Sequence, residues 1–324
     1  MSVPPATQLL PTHQRQIVAL GGGHGLFASL SALRLLTDHL TAVVTVADDG
    51  GSSGRLRDDF HVLPPGDLRM ALAALCDDSE WGHTWRDVLQ HRFAGSGELQ
   101  GHSLGNLMIV SIWELLGDTV GGLELVGRLL GARGRVLPMA SEPLEIVAEI
   151  RGHDPATPDE TVVVHGQHRV ASSPGTVSSI GILPTCPQPC VEALAAVGEA
   201  DWVVFGPGSW FTSVMPHLLV PDLADALVAT TARRLLILNL EVATDETRDF
   251  RAEDHLASFA ANAPDLRLDA VIADPSVVDD TDTLRAAASQ VGAELVVAPV
   301  VARGRPGVHD PLRLAAALRD VIAS

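Results

Sequence analysis

The chain contains no lysine, no tyrosine and only three cysteines in 324 residues. Without lysine, all 22 of its Lys/Arg side chains are arginine, and the Gly-Lys-Ser/Thr phosphate loop is excluded. Positive charge is scarce overall. The formal net charge of −18 at pH 7 argues against a surface that grips nucleic-acid backbones. Cys76, Cys186 and Cys190 are too few and odd in number for a disulfide framework, which fits a reducing compartment. The Cys186-Pro-Gln-Pro-Cys190 segment lacks a second cysteine or histidine pair to complete a tetrahedral zinc set. Long apolar runs are missing too: Leu235–Leu238 falls far short of the roughly 20 residues that span a bilayer. Residues 1–16 have no signal-peptide core and read as a mobile tail. These absences point to a cytoplasmic protein, with neither a membrane nor nucleic acid as its partner.

What is present is apolar bulk and glycine. A hydrophobic content of 46% is ample for one large packed domain, expected over residues 17–324. The strand candidate Ile17–Leu20 runs into Gly21-Gly22-Gly23-His24-Gly25, followed by Leu26, Leu30 and Leu33 at helical spacing. Strand, glycine loop and helix make a phosphate cradle, because the first helical turn has free N–H groups and bare glycines let an anion reach them. A tight strand-to-helix turn would read the same way. Leu26 stands where the dinucleotide fingerprint requires glycine.

A second loop follows the apolar run 41–47 and reads Asp48-Asp49-Gly50-Gly51-Ser52-Ser53-Gly54-Arg55-Leu56-Arg57. Its glycines admit a ligand to the backbone, Ser52 and Ser53 add hydroxyls, and Arg55 and Arg57 can neutralise phosphate. Asp48 and Asp49 suit ribose hydroxyls or a hydrated Mg²⁺, which needs only one or two carboxylates beside substrate phosphates. Arg55→Ala is expected to lose a charge-assisted hydrogen bond, on the order of 1.5 to 3 kcal/mol where the contact is buried. A third loop, Gly206-Pro207-Gly208-Ser209-Trp210-Phe211-Thr212-Ser213, mirrors the first. Ser209, Thr212 and Ser213 offer three hydroxyls where a helix cap needs one. His102, Ser103 and Asn106 open another helix; His102 is either a base or an anion donor, or simply a residue satisfied beside a cap. Asp254 and His255 could reach the same cleft from a later loop, or sit solvated at a helix start.

Between these loops the pattern is mostly helical from Leu68 to Leu130, then turns to short strands over 136–184, read as a small β insertion. From Trp202 onward, strands near 202–205, 235–238, 270–273 and 295–298 alternate with helices. Such βα alternation predicts a parallel sheet with right-handed crossovers and ligands beyond the carboxyl ends of its strands.

Taken in order, these loops, with Pro64-Pro65-Gly66-Asp67-Leu68-Arg69 and His102-Ser103-Leu104-Gly105-Asn106, resemble the YvcK/CofD-like family, and its YvcK branch more than its CofD branch. The resemblance spans nearly the whole chain and adds Asp67 and Arg69 to the expected site. It implies a doubly wound, Rossmann-like α/β fold, a cytoplasmic protein that binds UDP-sugars such as UDP-N-acetylglucosamine, and a regulatory role linking carbon metabolism to cell-wall precursor supply and cell shape. A cell-wall or central-metabolism enzyme as partner, and a homo-oligomer, go with it. The CofD relatives instead transfer a phospholactyl group from a guanylylated donor to a deazaflavin, with metal assistance. Two departures stand out. Asn239 to Thr247 differs from the family's usual stretch, and the missing tyrosine would leave an aromatic ligand contact to Phe211 or Phe250. A regulator without turnover is the leading reading and a CofD-type phosphotransferase the alternative. A nicotinamide-dependent oxidoreductase is disfavoured by the broken fingerprint.

Overall fold

The structure, a computed structural model, describes residues 12–154, 156–242, 244–248 and 250–323. In chain order the strands are β1 (Ile17–Gly21), β2 (Leu40–Val44), β3 (Arg135–Pro138), β4 (Glu145–Arg151), β5 (Thr161–His165), β6 (Thr176–Leu183), β7 (Trp202–Phe205), β8 (Arg233–Ile237), β9 (Ala270–Ala273), β10 (Glu294–Val297), β11 (Val301–Ala302) and β12 (Arg305–His309). The helices of the first half are α1 (Gly23–Leu33), α2 (Gly51–Phe60), α3 (Pro65–Leu75), α4 (Glu80–Gln90), α5 (Leu104–Leu116), α6 (Thr119–Leu130) and α7 (Gln167–Ala171). Those of the second half are α8 (Val191–Glu199), α9 (Pro216–Leu219), α10 (Pro221–Ala229), α11 (Ala252–Asn262), α12 (Thr281–Gln290) and α13 (Pro311–Ile322).

Seven parallel strands form the central sheet in the order β10-β9-β8-β7-β1-β2-β3. Helices cover both faces, so the central strands are apolar throughout rather than alternating; every residue of β1, β7 and β9 is buried. From β1 the chain steps outward through α1 to β2, while β7 pairs on the other side of β1. The strand order therefore reverses between β1 and β7, and the loops leaving these two strands part to open a crevice. A separate antiparallel sheet, β5-β4-β6, carries α7.

Helix ends follow local chemistry. Asp118 accepts from the Gly121 amide at the start of α6, and Asp310 accepts from the Leu312 and Arg313 amides ahead of Pro311 in α13. Left-handed Gly117 and Gly131 close α5 and α6.

Two expectations change, and one element is new. The small sheet starts at Glu145 and not at Val136: β3 belongs to the central sheet, because Val136 and Leu137 are buried against Ala42 and Val43 of β2. One helix over 214–229 becomes a π-turn (Trp210–Val214), α9 and α10, since Val220 precedes Pro221 and is forced into extended backbone. The β11–β12 hairpin was not anticipated. Of the expected tail, residues 1–11 lie outside the described residues; at its end the Gln16 amide and the Arg15 guanidinium both donate to Asp201.

Candidate functional site

The first glycine loop leaves β1 directly into α1, with extended Gly22 as the N-cap. A β-carbon on Gly22 would lie 2.5 Å from both an Asp67 carboxylate oxygen and the Thr45 methyl, and one on Gly25 would collide with the Pro207 carbonyl. Only glycine lets the first loop, the third loop and the start of α3 pack this closely. Around the α1 N-terminus lies a cleft of ≈ 830 Å³ at the carboxyl edge of the sheet. Gly22 to Gly25 line one part of it, with Asp48, Gly50 and Asp67. Pro207, Gly208, Ser209, Thr212 and Ser213 line another. Gln167 and His168 enter from α7, and Asn239, Glu241 and Thr244 from the loop after β8. Arg305 and His309 close it from β12.

Charge at this cleft is set mainly by burial. Asp67 is pushed up to about 7, first by desolvation and then by the nearby Asp48 carboxylate, against the Gly23 amide that donates to it and the Arg69 guanidinium. Arg69 is lowered to about 10 by burial and by Arg92, with Asp67 and Asp48 opposing. Burial lowers His309 to about 4, so its imidazole is neutral at physiological pH. Arg305 is exposed and joins no ion pair among the described residues.

The acidic glycine loop divides in two. Asp48 and Gly50 reach the cleft, and Asp48 accepts from the Gly50 amide at 3.0 Å. Asp49 turns away: its carboxylate accepts from the His168 amide at 3.0 Å and so holds α7. Gly51, Ser52, Ser53 and Gly54 form the first turn of α2 outside the cleft wall. Ser52 is buried and shares a hydrogen bond with His102 Nδ1 at 3.1 Å; Asn106 donates to Ser52 Oγ at 3.0 Å, and Arg69 Nε donates to Asn106 at 2.8 Å. Ser103 donates to the Leu89 carbonyl. His102, Ser103, Asn106 and Arg69 thus hold α2, α3 and α5 together behind the cleft. Arg55 donates to the Gly51, Glu98 and Gln100 carbonyls, and Arg57 to the Leu144 carbonyl, so neither faces the cleft. Gly21 ends β1 and Gly206 follows β7, and both lie outside the cleft lining.

In the third loop the Gly208 amide already donates to Asn239 Oδ1 at 2.8 Å, and Asn239 Nδ2 returns a bond to the Gly208 carbonyl. Buried Glu246 accepts from the Trp210 and Phe211 amides and from the Thr212 hydroxyl, and burial raises it to about 7. That leaves Ser209 and Ser213 as the cleft-lining hydroxyls of this loop without such a commitment. The unusual 239–247 stretch therefore braces the loop beside it. Asp254 accepts from the Arg251 amide at the start of α11, while His255 is buried edge-on to Trp210 and Phe250. Phe211 packs on Phe250, and the phenylalanine that lines the cleft is Phe27. No group of three or more His, Cys, Asp or Glu side chains able to hold a metal occurs among the described residues.

Sequence reasoning missed Phe27, Gln167, His168, Glu241, Arg305 and His309 as cleft residues. The signal for the last two was Gly304-Arg305-Pro306-Gly307, turn chemistry around an arginine just past the last central strand. Phe27 sits three residues from His24 on the expected helix, on the same face.

The family model described as 2-phospho-L-lactate transferase CofD matches residues 17–301. A protein from Mycobacterium tuberculosis (strain ATCC 25618 / H37Rv), provisionally named a gluconeogenesis factor, is 52% identical over 310 residues, 95% of this chain and 90% of that one. The gluconeogenesis factor of Bacillus subtilis (strain 168) is 35% identical over 244 residues, 75% of this chain and 74% of its own. A crystal structure of a Bacillus halodurans protein superposes with a TM-score of 0.83 at 29% identity, covering 96% of this chain and 99% of that one.

Proposed function

Since this chain belongs to the CofD family, in the YvcK branch whose relatives are named gluconeogenesis factors, we propose that its cleft binds a nucleotide sugar of the UDP-N-acetylglucosamine class and that the protein acts as a cytoplasmic regulator. The observation that carries this reading is the meeting of the first and third glycine loops at the crevice between β1 and β7, with the first turn of α1 aimed into the cleft. The Gly23 amide serves Asp67, while the His24 and Gly25 amides of the first turn have no intrahelical acceptors and suit a diphosphate. Arg305 adds the positive charge that Arg55 was expected to bring. The volume of ≈ 830 Å³ matches a ligand of this size. A binding role without turnover is supported by the commitment of Ser52 and His102 to a sealed network away from the cleft. In this reading the bound sugar reports precursor supply, and the liganded protein ties carbon metabolism to wall synthesis and cell shape. No helix among the described residues is long and apolar enough to cross a membrane.

Calorimetric titration with UDP-N-acetylglucosamine is expected to give a saturable heat. Silence at millimolar ligand, with GDP or NAD binding instead, would sink the reading.

The second reading is a CofD-type phosphotransferase, and one observation favours it: Asp48 and Asp67 lie close enough for the charge of one to raise the pKa of the other at the α1 N-terminus. This pair fits a hard cation better than Asp48 with Asp49, whose carboxylate serves α7. With Mg²⁺ present, Asp48 and Asp67 would hold it, and it would neutralise charge on a transferring group. Product from a guanylylated phospholactate and a deazaflavin would establish the transferase.

A further inference from the structure

The cleft has two unlike parts flanking the α1 N-terminus. Along α1, Phe27, Ala28 and Ser31 line it. They stand three, four and seven residues beyond His24, so all four share one stripe of the helix, and at 1.5 Å per residue that stripe leads roughly 10 Å away from the glycine loop. Val308 of β12 and Pro311, the first residue of α13, line the cleft with them, and α13 packs against α1. Phe27 is held against the core on one side and half-exposed on the other, which fixes the ring while leaving surface to the cleft. The other part is polar: Asp48, Asp67, Gln167 and His168 supply carboxylates, an amide and an imidazole.

Resting on the nucleotide-sugar reading, we infer that the ligand's planar base occupies the slot walled by Phe27, Val308 and Pro311, with its diphosphate at the first turn of α1 and its sugar ring toward Asp48 and Gln167. A base has a π-face that an aromatic ring and aliphatic side chains can cover without leaving polar groups unpaired. A sugar ring in that slot would press its hydroxyls against apolar side chains, at the cost of their hydrogen bonds. In the polar part the same hydroxyls meet acceptors and donors. Phe27 is thus the base-holding residue, a role that neither Phe211 nor Phe250 can take because both lie outside the cleft wall.

The test separates the base from the diphosphate. The affinities of UDP-N-acetylglucosamine, UDP and inorganic pyrophosphate are measured by calorimetry for the native chain, Phe27→Ala and Ala28→Trp. The second variant fills the slot from a half-exposed helix position and guards against a folding defect in the first. The expected result is a loss of about tenfold or more for both uridine ligands in both variants, with pyrophosphate unchanged. Uridine affinities that survive Ala28→Trp, or pyrophosphate affinity that falls in step with them, would overturn the assignment of the slot. A native chain that binds pyrophosphate but neither uridine ligand would overturn the nucleotide-sugar reading itself, and the slot with it.

Discussion

Arginine position, not arginine number, decides which cation can meet an anion in this protein. Arg55 looked suited to phosphate in the primary structure, yet its guanidinium spans three backbone carbonyls and pins α2 to residues 98–100. Arg305 sits on a short hairpin at the cleft with no ion pair among the described residues. Replacing Arg305 by alanine is expected to weaken nucleotide-sugar binding about tenfold, or ~1.4 kcal/mol, with the loss growing at low ionic strength. Arg55→Ala should leave the affinity unchanged and lower thermal stability slightly. Equal loss in both variants, measured by titration at two salt concentrations, would contradict this division.

Among the elements, the π-turn after β7 depends on a residue more than thirty positions away. Glu246 takes the Trp210 and Phe211 amides and the Thr212 hydroxyl in a buried setting. Glu246→Ala leaves these three donors without their acceptor and is expected to destabilise the fold by roughly 3 kcal/mol or more, since each unsatisfied buried group costs about 1 to 3. Glu246→Gln keeps an accepting oxygen and should recover most of that loss; chemical denaturation of the two variants distinguishes them. This dependence also shows where sequence reading stops. The strand–glycine–helix segments at β1 and β7 were legible because apolar runs and glycines within one short window dictate them. The partners of Thr212, Ser52 and Asp49 were not, because Glu246, His102 and His168 arrive from distant segments and leave no local pattern. The same holds for β12: its pairing with the two residues of β11 is too brief for a periodic signal.

For the whole molecule, two buried carboxyls and four buried histidines set opposing responses to pH. Asp67 rises from 3.8 and Glu246 from 4.5, both to about 7, so each is protonated in the fold while already ionised in the unfolded chain. Their contribution is complete below the unfolded values and is lost as pH climbs through 7. His217 and His309 fall from 6.5 to about 4 and stay neutral in the fold, so their contribution is complete above 6.5 and lost as pH drops toward 4. Each group contributes a slope of about 1.4 kcal/mol per pH unit in its window. The two falling slopes offset those of His217 and His309 between 4.5 and 6.5, while His102 and His255, also lowered by burial, add a rising contribution below 6.5, so the unliganded protein is expected to reach its highest unfolding free energy near 6.5 and to decline from 6.5 to 7. His217→Gln removes one rising slope, so its stability should fall relative to the native chain as pH rises from 4 to 6.5 in denaturant titrations; an unchanged difference would refute the account.

The walls of the cleft run from Gly22 to Pro311, nearly the full span of the polypeptide. Every segment from the first strand to the start of the last helix must therefore be synthesised before the pocket exists. A premature stop codon just after β10 would leave every strand of the central sheet in place, yet yield a protein whose binding chamber lacks its final wall.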